Sequence, residues 1–197
     1  MANHDLSTMN KKENSSEALR WNLLSSEYIH KSKWATLRVD TCEMPNGTIV
    51  DDYYVLEYGS WANAVAVTEE GKILLIEQYR HAADIVSMEI PGGVVEDGED
   101  KVAGLRRELL EETGYEFDDF EFLCELCSNP STANNRVYSY LARGGKKVQG
   151  QHLDPHEEII VHEYSVAEVK QMLLDNEILQ AMHSSALFFG LVKLGVL

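Results

Sequence analysis

Glu108, Glu111 and Glu112 stand at positions i, i+3 and i+4 of the segment KVAGLRRELLEET, a spacing that puts three carboxylates on one face of a helix. The opposite side of the same turns carries Val102, Leu105, Leu109 and Leu110, an apolar stripe that must bury against a sheet. Asp100 supplies an N-cap and Gly114 a left-handed end, which predicts a helix over 101–113. Like charges stacked on one face destabilise a helix unless a cation offsets them. A hard divalent ion such as Mg²⁺ takes oxygen ligands in such a cluster. The preceding turn, Pro91-Gly92-Gly93, has two successive residues without Cβ, so its backbone can approach a metal or phosphate and offer a carbonyl. Arg107 can pair with Glu99 or another acid and hold the cluster's geometry. The helix alone leaves two readings open, a metal site and a solvated acidic face.

Around this helix the pattern is that of strands. Residues 34–42 and 49–58 alternate and flank Pro45-Asn46-Gly47, a hairpin signal. Residues 62–68 and 72–79 form a second pair joined at Glu70-Gly71, and 86–90 is a short strand ending at Pro91. Strands return at 120–127, 136–142 and 159–164, and helical spacing at 166–174 and 178–194. This predicts a mixed α+β chain with helices packed on sheet faces. Residues 1–26 read as a flexible polar segment, 27–58 as a small antiparallel β domain, and 59–197 as the main domain. A β unit of that size buries too little core to stand alone, which predicts a homodimer.

Charge and cysteine usage narrow the partners. Acidic residues outnumber basic ones 33 to 17 over 197 residues, a net charge of −16 that argues against binding nucleic acid. No apolar run approaches a membrane span and no signal pattern opens the chain, and three cysteines make no disulfide framework, so the expectation is a reduced, cytoplasmic protein without membrane contact. Cys124 and Cys127 are two ligands short of a zinc site and are expected as buried core thiols. Neither a G-x-S-x-G elbow nor a G-x4-G-K loop is present.

Read as one stretch, EIPGGVVEDGEDKVAGLRRELLEETGY resembles the Nudix box, G-x5-E-x7-R-E-U-x-E-E-x-G-U with U a bulky aliphatic residue. Gly93, Glu99, Arg107, Glu108, Leu109, Glu111, Glu112 and Gly114 meet the pattern, and Tyr115 at its last aliphatic position is the one departure. The resemblance implies a Nudix α/β/α sandwich with a mixed sheet. It also implies hydrolysis of a nucleoside diphosphate linked to another group, with Mg²⁺, or Mn²⁺ in its place. By the same carry-over Glu108 and Glu112 are the main metal ligands, Glu111 and the Gly92 carbonyl complete the set, and Gly93, Glu99, Arg107 and Gly114 support the geometry.

Four further features resemble the ADP-ribose pyrophosphatase and nucleoside-diphosphate-sugar branch. Pro130 lies sixteen residues beyond Gly114. Gln78-Tyr79-Arg80 matches a strand-end motif whose arginine grips the diphosphate-ribose side. The N-terminal β segment resembles a unit swapped between subunits, with Trp34 as a platform for the base and Tyr53 as a second candidate. The loop Asp154-Pro155-His156-Glu157-Glu158-Ile159 falls where the branch keeps a catalytic glutamate, Glu157 first and Glu158 next, Glu111 also being a catalytic carboxylate. The branch often reads Ser-Pro-Gly where this chain has Asn129-Pro130-Ser131, and Arg136 follows as a further phosphate contact. The implied substrate is ADP-ribose or a related nucleotide sugar, with GDP-mannose or another hexose conjugate, or a non-catalytic sensor, as the alternatives.

Overall fold

The structure is a computed structural model and describes residues 17–197. It divides into two compact units, one running to Tyr58 and taking in Asn129–Asn134, the other made of Gly59–Ser128 and Asn135–Leu197.

The first unit is a three-stranded antiparallel sheet in the order β1 (Asn22–Lys31), β2 (Thr36–Glu43), β3 (Ile49–Glu57). Gly47, at φ 83°, closes the β2–β3 turn by donating to Met44 O at 2.8 Å, a backbone conformation that residues with a Cβ rarely adopt. Asp40, Cys42 and Val55 are buried, and Arg38 pairs with both Asp40 and Glu57. Leu56 pairs with Ala133 in a parallel bridge, fixed by Leu56 N to Thr132 O at 2.7 Å and Asn134 N to Leu56 O at 3.2 Å. The strand β1 begins at Asn22, inside the segment expected to be flexible. Its partners run from Glu43 to Thr36, yet all ten of its residues are exposed, so no buried face imposes an alternation that the sequence would display. Residues 1–16, the rest of that expected segment, lie outside the described residues.

The second unit has a mixed sheet around β4 (Trp61–Thr68). On one side β4 pairs in parallel with β10 (Arg136–Lys147), which carries β9 (Asp119–Cys127) and β8 (Tyr115–Glu116). On the other it meets β5 (Lys72–Arg80), followed by β11 (Ile160–Ser165), while β6 (Ile85–Glu89) pairs with β5 and β7 (Gly92–Val94) with the start of β4. Alternate residues of β4 serve opposite faces. Ala62, Ala64 and Ala66 pack with Leu105, Leu109, Tyr115 and Phe117 under the helix α1 (Lys101–Thr113). On the far face Val65, Ile73, Leu75 and Leu141 pack against Val169 of α2 (Val166–Leu174) and Ala186, Leu187 and Leu191 of α3 (Ala181–Lys193). The result is the helix–sheet–helix layering expected.

Two boundaries and the burial of one cysteine pair differ from the sequence reading. The strand β10 runs on past Ala142 through Gly144-Gly145, with a register shift there; a Cβ on Gly145 would lie 2.4 Å from the Phe117 ring. The helix α3 starts at Ala181, with Ile178 buried ahead of it. The two cysteines are not both core: Cys124 is half-buried and Cys127 is exposed beside Arg136, because residues three apart on a strand point to opposite faces of the sheet.

Candidate active site

The helix α1 forms as its caps dictate. Asp100 accepts from Val102 N and Ala103 N at 3.0 and 3.1 Å, and Gly114, at φ 76°, donates to Leu110 O. Burying Leu105 and Leu109 on β4 fixes the helix rotation and turns the carboxylate face towards the Pro91-Gly92-Gly93 turn. The contact there is close. A Cβ on Gly93 would lie 2.4 Å from the Glu108 carboxyl carbon, and one on Gly92, at φ 147°, would lie 2.3 Å from Ala62 O. The two glycines therefore let the turn approach the helix and β4, and Gly92 N donates to Glu112 Oε2 at 2.8 Å.

Glu112 is 5% exposed. Burial first, and then the charges of Glu108 and Glu157, push its pKa up to about 8 against the pull of the Gly92 N–H and Arg80. Burial first, and then the charges of Glu111 and Glu157, raise the pKa of Glu108, although Arg107 donates to it at 2.8 Å. Arg107 is the local counter-charge: Nη1 also reaches Glu111 at 3.2 Å, and Nη2 reaches Val94 O at 3.2 Å and Glu99 at 3.4 Å. Glu99 in turn accepts from Glu96 N at 3.0 Å.

Among the described residues no three His, Cys, Asp or Glu groups already converge on one point that would hold a metal. The donor set nevertheless fits a hard divalent cation. It consists of oxygens, one of them a carboxylate held far above its ordinary pKa by burial first and then by two neighbouring acids, a charge that such a cation would neutralise. Glu157 is the loop acid whose charge acts on Glu108, Glu112 and Arg80; Glu158 stands beside it, and both are exposed.

Other expected residues are placed differently. Arg80 donates through Nε and Nη2 to Glu89 at 2.8 and 2.5 Å, so much of its fork is committed to a carboxylate that is 1% exposed. Burial raises the pKa of Glu89, but the Arg80 hydrogen bonds and neighbouring positive charge outweigh it and the net shift is downward. His183, on α3, accepts from Ile90 N at 3.2 Å and lies 3.6 Å from Glu89 Oε2. Arg136 pairs with Glu125 at 3.2 Å, across β9–β10. In the N-terminal unit, Trp34 is 76% exposed with Lys33 Nζ 4.4 Å above its ring, and Tyr53 donates to Ser131 O at 2.9 Å. Trp21 meets Tyr53 edge to face at 5.8 Å, and both line a 380 Å³ cavity with Arg38, Asp40 and Pro130.

Glu89, His183, Trp21 and Gln151 were not singled out from the sequence. A lone glutamate inside the apolar run IVSMEIP was the one available signal, since a charge there must be paired.

Comparison with known proteins agrees with this geometry. Residues 21–56 match the model of a nucleoside diphosphate sugar hydrolase N-terminal domain, and residues 59–184 match that of the NUDIX domain. The chain is 35% identical to the methanol dehydrogenase activator of Bacillus methanolicus over 79% of this chain and 84% of that one. It is 33% identical to an ADP-ribose pyrophosphatase of Mycobacterium tuberculosis over 81% of this chain and 77% of that one. It is also 29% identical to one of Bacillus subtilis over 90% and 96%. A crystal structure of an ADP compounds hydrolase superposes with a TM-score of 0.77 at 22% identity, covering 90% of this chain and 97% of that one. With a NUDIX model spanning most of its length and the box's carboxylates on one helix face, Glu112 buried and Glu108 and Glu111 half-buried, the chain belongs to the Nudix family.

Proposed function

We propose that the chain hydrolyses the diphosphate bond of ADP-ribose or a related nucleotide sugar, releasing a nucleoside monophosphate and a sugar phosphate. The observation that carries the reading is Glu112, a buried carboxylate beside Glu108 within the field of Glu157, an arrangement that suits a cation-dependent attack on a polyanion. The relatives named ADP-ribose pyrophosphatase support the substrate class.

The Nudix family works with divalent metal ions, and we assign Mg²⁺ here, with Mn²⁺ as a substitute. Glu108, Glu112, Glu111 and the Gly92 carbonyl would hold it. When bound it supplies charge neutralisation for diphosphate oxygens and acidifies water. The chain's own residues do the rest. Glu157 accepts the proton of the attacking water as general base. Arg80, oriented by Glu89, presents its remaining N–H groups to the diphosphate. Arg107 and Glu99 hold the carboxylate face in register. Trp34 and Tyr53 are assigned to the base, and Arg136 to an outer phosphate contact.

A homodimer is supported by β1, a ten-residue edge strand with Leu23, Leu24 and Ile29 exposed. Among the described residues no helix is long and apolar enough to cross a membrane. Three free thiols support a cytoplasmic setting.

Phosphate release through a coupled alkaline phosphatase, from ADP-ribose, GDP-mannose and UDP-glucose with and without Mg²⁺, tests the reading. Mg²⁺-dependent cleavage of ADP-ribose above the hexose conjugates supports it, and silence across the panel overturns it. A second reading, activation of an alcohol-oxidising dehydrogenase, is favoured by the 35% identity to the methanol dehydrogenase activator. Adding the chain to methanol dehydrogenase and following its turnover separates the two.

A further inference from the structure

The last carbonyls of α1 lack partners within the helix, as at any helix end. The segment that follows β10 supplies them. Val148 N and Gln149 N donate to Gly114 O at 2.9 and 3.3 Å, and His152 N donates to Glu111 O at 2.8 Å. The carbonyl of Glu112 is met by a side chain instead: Gln151 Nε2 donates to it at 2.8 Å. The same nitrogen donates to Ile159 O at 3.0 Å. Both partners are carbonyl oxygens, so only the NH₂ end of the amide can face them, and each of its two hydrogens has an acceptor.

Ile159 is buried and leads into β11, whose pairing with β5 starts at Ile160 opposite Glu77. Between His152 and Ile159 the chain forms a loop closed on itself by Glu157 N to Asp154 O at 3.0 Å and Asp154 N to Glu157 Oε2 at 3.1 Å. Gln151 thus joins the two ends of the loop that carries Glu157 and fastens both to the backbone of Glu112. A short loop pinned at its base has few conformations left, and this amide is the side-chain pin that ties both of its ends to Glu112.

We propose that Gln151 is a positioning residue, one that holds the Glu157 loop at its working distance from Glu112. The inference rests on Glu157 being the general base. Gln151 is itself exposed, and its substitution removes no core packing. The Gln151→Glu change keeps the shape but sets an oxygen against two carbonyls, removing the donor that the clamp needs.

The test uses the full chain with Mg²⁺ and ADP-ribose. Gln151→Ala and Gln151→Glu are expected to lower kcat roughly 10–100-fold while KM stays within about threefold. In a Glu157→Gln background the same substitutions are expected to add no further loss, because they act through that carboxylate. Losses that multiply in the double variant, or an unchanged kcat, overturn the proposal. Amide hydrogen exchange over residues 153–159 reads the clamp without any turnover. Faster exchange there in Gln151→Ala supports it and unchanged exchange overturns it, even for a chain that cleaves none of the nucleotide sugars.

Discussion

Replacing His183 with Gln takes a titratable ring out of the core and leaves an acceptor within reach of the Ile90 amide. In the natural chain burial pushes the His183 pKa from 6.5 down to about 4; the charge of Arg80 acts in the same direction and that of Glu89 opposes it. A basic group with a depressed pKa binds fewer protons when folded than unfolded between those two values, so stability rises with pH there. Its contribution is complete above pH 6.5 and is lost as the pH falls towards 4. At about 1.4 kcal/mol per pH unit, that interval corresponds to about 3 kcal/mol. The substitution itself costs about 1 kcal/mol near neutrality through altered packing. Urea unfolding of both chains in EDTA, stepped down from neutral pH, gives their difference at each pH and cancels the groups that do not interact with His183. The variant is expected to start about 1 kcal/mol less stable and to finish about 2 kcal/mol more stable, the curves crossing between about pH 5 and 6. A difference that stays constant across the range refutes the argument, since it would mean that His183 takes up its proton as easily folded as unfolded.

Glu112→Gln is expected to lower turnover by roughly 10²–10³-fold or more with an unchanged circular dichroism spectrum, and a fully active variant sinks the metal assignment. Gly93→Ala places a methyl 2.4 Å from the Glu108 carboxyl carbon; it is expected to cost about 1–3 kcal/mol in urea unfolding and to weaken Mg²⁺ binding by calorimetry. Arg38→Met leaves Asp40, which is 5% exposed, with Ser26 as its remaining partner and is expected to cost about 3 kcal/mol in the same unfolding assay.

The parts of the molecule that could be read in advance are those where local chemistry and burial agree. The span of α1 matches because Asp100 and Gly114 terminate it and Leu105 and Leu109 recur at helical spacing. Glu108, Glu111 and Glu112 follow from that same period. The strand β1 escaped because neither of its faces is buried, and the end of β10 because Gly144-Gly145 interrupts the alternation. Arg80 was legible as a cation at a strand end but its commitment to Glu89 was not, because that pairing is set by how β5 and β6 align. His183 and Gln151 act on backbone atoms of distant segments, Ile90 lying 93 residues from His183, and no spacing in a single sequence encodes such a bond.

The six residues Asn129–Asn134 belong to the first unit and bridge the end of its sheet at Leu56. The outer edge of β3 therefore waits for a segment that leaves the ribosome about 76 residues after Tyr58, counting from 58 to 134. At about 5–20 residues per second this is a delay of roughly 4–15 s, during which the Leu56 N–H and C=O lack Thr132 and Asn134, their native hydrogen-bond partners. Chaperone capture or mispairing of nascent chains is expected to concentrate in that window and to fall once residue 134 has emerged. Ribosome-bound chains stalled just short of that point and just beyond it would differ sharply in how readily a protease cuts within β3.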